Sequence, residues 1–259
     1  MTSSTEQNMN LRAYDSLDNP PPMDGSKRQA LIPLTIIAQI FGLGAVIMCI
    51  VWLGYYKGGY DWNNPTLVFN YHPVFLVLGM IFCFGNAMLI YRVFYMCPKL
   101  PLKAIHGVLM ILSLLFSVVG LKAAFDSHSV RGIPDLYSIH SWVGLVTVIL
   151  FAIQWVIGLI TFLVPFIPMR VRAKVLPLHV YMGLFLFACS LIAVVSGITE
   201  SNVFSDQLYS DLPPPALLSN FLGLSVLIFG GIVFYLVHRY DYRRVEPQNG
   251  EQVGFRSLS

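Results

Sequence analysis

The sequence predicts an all-α integral membrane protein with six transmembrane helices. Three observations carry that reading. The 259 residues are 56% apolar and only 11% charged, with a mean hydropathy of +0.68, whereas soluble domains carry about 25% charged residues. Six apolar stretches each approach the ~20 residues that cross ~30 Å of hydrocarbon. Four of the six histidines open four successive stretches, one each.

Residues 1–30 hold Asn19-Pro20-Pro21-Pro22, Gly25 and many Ser, Asp and Asn, a composition that cannot bury a core. They read as a disordered cytoplasmic tail, with no apolar run of the kind a signal peptide needs. Tyr14-Asp15-Ser16-Leu17 within it fits a tyrosine-based sorting signal. The spans follow at 32–55, 68–91, 103–124, 139–162, 176–198 and 216–237. Backbone groups in lipid must pair internally, which helices do. The ~10-residue alternation of a transmembrane barrel is missing from these stretches. The six-helix domain is expected over 31–244, and residues 245–259 read as a flexible cytoplasmic tail.

The loops set the orientation. Lys27 and Arg28 precede span 1; Arg92, Lys99 and Lys103 flank the turn between spans 2 and 3. Arg170, Arg172 and Lys174 separate spans 4 and 5, and Arg239, Arg243 and Arg244 follow span 6. On the opposite side, Lys57, Lys122 and Arg131 are diluted by Asp61, Asp126, Asp135, Glu200, Asp206 and Asp211. An excess of Lys and Arg marks the cytoplasmic side, which places both termini there. A net charge of +3 is too small to point to nucleic acid. Cys49, Cys83, Cys97 and Cys189 show no metal-binding or disulfide spacing and read as packing residues.

His72, His106, His140 and His179 lie near the starts of spans 2, 3, 4 and 5. Consecutive helices run in opposite directions, so the starts of spans 2 and 4 share the outer face and those of spans 3 and 5 the cytoplasmic face. His72 therefore pairs with His140, and His106 with His179, in two layers roughly 20 Å apart at 1.5 Å per residue. A structural zinc site wants four ligands. Haem iron needs only two axial ones, because the macrocycle supplies the rest. With both axial positions filled, such irons carry electrons and do not activate ligands. Two layers form a relay across the bilayer. Tyr71, Phe75, Phe116, Phe151, Trp155 and Phe185 are the aromatics available to line apolar haem faces. A haem subunit of a quinone-linked complex would carry two histidines per helix, and no span here holds two.

Several stretches together resemble the cytochrome b561 family of ascorbate-dependent transmembrane electron-transfer proteins. They are Leu89-Ile90-Tyr91-Arg92-Val93-Phe94, Lys103 three before His106, Phe125-Asp126-Ser127-His128, and Asp135-Leu136-Tyr137-Ser138-Ile139-His140-Ser141-Trp142. Further matches are Gln154-Trp155, Arg172 seven before His179, Pro177-Leu178-His179 and Leu218-Ser219-Asn220. The resemblance spans about residues 31–244. It implies that spans 2–5 form a four-helix bundle around two b-type haems, usually within a homodimer. It also implies the ligand pairs His72/His140 on the outer iron and His106/His179 on the cytoplasmic one. By the same resemblance, Arg92 and Lys99 contact the cytoplasmic haem, while Arg172 and Lys103 form the cytoplasmic ascorbate site. A guanidinium beside an ammonium suits an enediolate or carboxylate anion. Asp135, Leu136, Tyr137, Ser138 and Glu200 match positions packed on the outer haem, and His128, read as an outer-loop residue, matches an outer substrate histidine. Arg243 stands where a lysine is usual at a cofactor-binding position, and Leu208 where some members have an outer-site asparagine.

The function expected is one-electron transfer from cytoplasmic ascorbate to monodehydroascorbate or a ferric chelate outside. The membrane expected is that of a vesicle, an endo-lysosomal compartment or the cell surface. A non-redox six-helix transporter or scaffold with interfacial histidines would share the hydropathy, and colour would separate the two.

Overall fold

The computed structural model of the chain describes residues 25–94, 97–205, 207–239 and 242. The tails with Tyr14-Asp15-Ser16-Leu17, together with Asp206, Arg243 and Arg244, lie outside the described residues, as do the side chains of Lys27, Arg28 and Lys99. Six helices are long and apolar enough to cross a membrane: Gln29–Tyr56, Val68–Val93, Leu100–Arg131, Ile139–Leu163, Met169–Val203 and Pro214–His238, spans 1 to 6. Among the described residues there is no strand.

Spans 3 and 5 run to 32 and 35 residues, well beyond the apolar stretches that announce them. Hydropathy registers hydrocarbon depth, while the helix itself continues until something stops it. Span 3 carries an ion pair between Lys122 and Asp126, one turn apart, in its polar C-terminal end. It stops at Gly132, whose φ of +66° is the left-handed conformation that ends helices. His128 thus belongs to the last turn of this helix and not to a loop. The helices of spans 3, 5 and 6 each begin directly after a proline, Pro98, Pro168 or Pro213. Span 4 begins with a capping box in which Ser138 and Ser141 satisfy each other's backbone N–H groups. That box encloses the first turn and fixes the level of His140.

Spans 2, 3, 4 and 5 close a ring, each packed on the next and span 5 returning to span 2. Spans 1 and 6 pack on each other outside this ring, and span 6 also leans on spans 2 and 5. The buried core lies on that side. On span 1, Leu31, Ala38, Ala45 and Trp52 recur every seven residues and are all buried, a spacing that keeps one stripe toward its neighbours. Small residues in that stripe let helices approach closely in a bilayer. Gly85 of span 2 does the same, since a Cβ there would lie 2.6 Å from the Phe229 ring. Spans 3 and 4 instead present Ile105, Val108, Leu115, Val146, Ile149 and Ile153 outward, each about half exposed, which is a lipid-facing surface.

Among the described residues, π-helical segments end spans 1 and 4, at Trp52–Tyr56 and Leu159–Leu163, and one interrupts span 2 at Val77–Cys83. The segment in span 2 lies between His72 and the C-terminal half of that helix. Such bulges are common at functional sites.

At the N-terminal end of span 2, buried Asn70 locks the entry to the helix. Its Nδ2 donates to the carbonyls of Lys57 and Gly59 at 2.9 and 2.7 Å. Gly58 and Gly59 sit at φ +86° and +89°, which few other residues tolerate. Asn70→Ala leaves both carbonyls without this donor. The expected cost is about 1–3 kcal/mol, read as a lower thermal unfolding midpoint in detergent; an unchanged midpoint would refute this anchoring role.

Candidate functional site

The ring brings the four histidines together in two pairs. His72 and His140 lie with ring centroids 6.0 Å apart and planes at 88°. His106 and His179 lie 6.3 Å apart at 67°.

Three of the rings are held by main chain. His72 Nδ1 lies 3.2 Å from the Gly120 carbonyl, His106 Nδ1 2.8 Å from that of Ala87, and His140 Nδ1 2.8 Å from that of Ala193. A carbonyl can only accept, so each Nδ1 carries the proton and donates. Nε2 is then the nitrogen with the free lone pair. This is the outer-shell arrangement that orients a metal-ligating imidazole and raises its basicity.

The arrangement is reciprocal. Span 2 gives a histidine to one layer and a carbonyl to the other, and span 3 does likewise. Along span 2 the layers are 87 − 72 = 15 residues apart; along span 3, 120 − 106 = 14; along span 5, 193 − 179 = 14. At 1.5 Å per residue the intervals are roughly 21–23 Å.

The spacing within each pair tests whether a haem fits. An imidazole nitrogen binds a transition metal at about 2.0–2.1 Å, and the ring centre lies about 1.1 Å behind that nitrogen. Two imidazoles on opposite sides of one iron therefore have centres about 6.2 Å apart. The observed 6.0 and 6.3 Å match. Among the described residues no group of three or more His, Cys, Asp or Glu side chains could hold a bare metal ion, so the paired imidazoles suit a macrocycle that brings its own equatorial ligands.

Glycines clear space for two rings. A Cβ on Gly197 of span 5 would lie 2.6 Å from Cε1 of His140, and one on Gly158 of span 4 would lie 3.0 Å from Cε1 of His179. Spans 4 and 5 thus exchange a histidine and a glycine. Neither glycine, nor the Gly120, Ala87 and Ala193 carbonyls, carries a functional group that a sequence would advertise. Of the aromatics offered as haem-lining, Phe151 is buried against Phe84 with ring centres 4.8 Å apart, and Phe75 stacks on Phe116 at 5.9 Å.

At the end marked by the basic loops, Tyr91 leans on His106 at 5.5 Å and Phe162 on His179 at 5.2 Å. Gln154 donates to the His179 carbonyl at 3.1 Å, and Trp155 Nε1 to that of Gly107 at 3.2 Å. Arg92 donates to the Val237 carbonyl, tying span 2 to the end of span 6. Arg172, in the first turn of span 5, organises the preceding loop. Its Nε donates to Ile167 at 3.1 Å, and its Nη2 to Val164 at 2.9 Å and Pro165 at 3.4 Å, all carbonyls. Lys103 lies one turn before His106 on the same helix, and Lys99 opens that helix.

At the other end, His128 Nδ1 lies 3.0 Å from Asp135 Oδ1, with the His128 side chain only 19% exposed. Leu136 holds a positive φ of +54°. Its carbonyl accepts from Trp142 Nε1 at 2.6 Å, which fastens the loop to span 4. Tyr137 sits 6.4 Å from Phe204, ring to ring. Its phenol is raised above the ordinary value, first by burial and then by its hydrogen bond to the Glu200 carboxylate and that charge. The residues quoted from this loop thus reach spans 3, 4 and 5, and Ser138 caps span 4.

The profile of the eukaryotic cytochrome b561 family matches residues 71–205, which contain all four paired histidines. A plasma membrane ascorbate-dependent reductase of Xenopus laevis is 39% identical over 233 residues, 88% of this chain and 82% of its own. A lysosomal membrane ascorbate-dependent ferrireductase of Danio rerio is 39% identical over 227 residues, 84% of this chain and 92% of its own. A transmembrane ascorbate-dependent reductase of Homo sapiens is 40% identical over 216 residues, 83% and 85% of the two chains.

Proposed function

This chain belongs to the cytochrome b561 family, and we propose that it is a di-haem transmembrane reductase taking single electrons from cytoplasmic ascorbate to an acceptor at the outer face. The observation that carries the proposal is the two histidine pairs, 6.0 and 6.3 Å apart between ring centres. His72 and His140 would hold one b-type haem and His106 and His179 a second, and haem bound at these pairs would supply one-electron transfer.

The polypeptide fixes ring planes, tautomers and the distance between layers. Both termini and the loops bearing Lys99, Lys103, Arg170, Arg172 and Lys174 face the cytoplasm. Arg172 and Lys103 bind the ascorbate monoanion, and Arg92 and Lys99 are the residues that would contact the cytoplasmic haem. At the outer end Asp135, Leu136, Tyr137, Ser138 and Glu200 close over the His72/His140 pair, and Arg243 is assigned to cofactor binding beyond span 6. The acceptor, monodehydroascorbate or a ferric chelate, meets His128. Asp135 holds Nδ1 of that ring, so Nε2 is the nitrogen offered to it. The names of the relatives support a reductase at the plasma membrane or a lysosomal membrane, and a second copy of the chain is the partner proposed within the bilayer.

The test is reconstitution in vesicles loaded with ferric citrate or oxidised ascorbate, with ascorbate added to the cytoplasmic face. Ascorbate should produce a sharp reduced band and reduction of the enclosed acceptor; a colourless protein would end the proposal. Arg172→Ala should raise the ascorbate concentration for half-maximal reduction about tenfold or more, the loss of one charged hydrogen bond. Arg172→Lys should recover little, because an ammonium cannot span the three loop carbonyls and an anion together. An unaltered concentration dependence would remove Arg172 from the substrate site.

A further inference from the structure

We infer that Phe69 is a positioning residue of the outer site, setting the plane of the His128 ring and hence the direction of Nε2. The inference rests on the reading that the outer acceptor meets His128. The Phe69 ring lies parallel to that of His128, with an interplanar angle of 7° and centroids 6.0 Å apart. It also leans on His72, 5.6 Å away at 35°. A row of ring contacts, His72 to Phe69 to His128, therefore links the outer histidine pair to the outer site, where Asp135 Oδ1 lies 3.0 Å from His128 Nδ1.

Local structure builds this row deliberately. Val68–Asn70 is a turn of 3-10 helix leading into the helix that bears His72. At a three-residue spacing Phe69 and His72 share a face. Asn70, between them, is anchored to the Lys57 and Gly59 carbonyls. The neighbour of His128 is anchored too: Ser127 Oγ donates to the Pro65 carbonyl at 2.7 Å. The same outer loop therefore grips the backbone beside Phe69 and the backbone beside His128. With Nδ1 committed to Asp135, rotation about that hydrogen bond is the ring's remaining freedom. A flat neighbour removes it; an aliphatic side chain of similar size does not.

The experiment measures equilibrium binding of gallium(III) citrate, which cannot be reduced, and KM for ferric citrate. It uses the full haem-loaded chain as wild type, Phe69→Leu, Phe69→Tyr and His128→Ala. Phe69→Leu should raise both Kd and KM about threefold to tenfold. At 1.4 kcal/mol per decade that is about 0.7–1.4 kcal/mol, within the range of one aromatic pair. Phe69→Tyr, which keeps the ring, should bind as wild type does. If the leucine variant loses its haem spectrum, Phe69→Met, which fills the volume without a flat face, carries the same comparison. Wild-type values in Phe69→Leu or Phe69→Met beside raised values in His128→Ala would overturn the inference and leave the outer-site reading standing. A tyrosine variant as weak as the leucine one would overturn it as well. Wild-type values in His128→Ala would defeat the outer-site reading itself.

Discussion

Replacing His106 with alanine is expected to halve the haem bound per chain and abolish reduction by ascorbate from the cytoplasmic face. His106 faces His179 at 6.3 Å and is fixed by its bond to the Ala87 carbonyl. Without it, His179 would face the cofactor alone, and a haem that would rest on both imidazoles loses one of its two protein anchors. The other pair lies 14–15 residues away along the helices, roughly 21–23 Å. Its ring geometry shares no hydrogen bond with His106, so one haem and its spectrum should persist. Haem extraction and quantitation against protein, with a redox titration, reads the result. Two haems per chain in the purified variant would defeat the ligand assignment.

The second large effect is expected from a glycine. Gly197→Val should release the haem of the His72/His140 pair or shift its spectrum and potential. A Cβ at this position would lie 2.6 Å from Cε1 and 2.8 Å from Nδ1 of His140, closer than nonbonded atoms tolerate. The ring cannot simply step aside, because Nδ1 already donates to the Ala193 carbonyl one turn earlier on the same helix. Helix propensity acts in the opposite direction, since glycine costs about 1 kcal/mol in a helix interior. Overpacking a filled site costs about 1–3 kcal/mol and displaces a ligand besides, so the clash wins. Gly158→Ala, whose Cβ would meet His179 at 3.0 Å, should do the same to the cytoplasmic pair more mildly. A valine variant with unaltered haem content, spectrum and potential would refute this steric role.

How much of this was legible follows from what a sequence can encode. Apolar runs and polar breaks display the spans, and helix alternation together with histidine position displays the pairing by depth. The charged caps of spans 3 and 5 were not legible as helix, because hydropathy falls where the chain leaves lipid although the backbone goes on bonding. His128 moved from a loop to a helical turn for that reason. The π-helical segment at Val77–Cys83 leaves no mark in the pattern of apolar residues. Arg172 was legible as a cation; its grip on the Val164, Pro165 and Ile167 carbonyls was not, because main-chain acceptors have no residue code. Phe69 gives no more sign in the sequence than any other aromatic in an apolar stretch.

The carbonyls that hold His72, His106 and His140 have a bearing on how this protein tolerates change over generations. Every amino acid offers the same oxygen, so a substitution at position 87, 120 or 193 leaves the acceptor in the chain. Point mutation therefore acts on these contacts only through bulk, and a Cβ on Gly120 would already collide with Leu76 Cδ2. A one-residue insertion or deletion within a span breaks them, because it turns everything beyond it by about 100° and carries the oxygen off the ring. Lineages should accordingly keep these three places small and keep strict register between each histidine and its opposite helix.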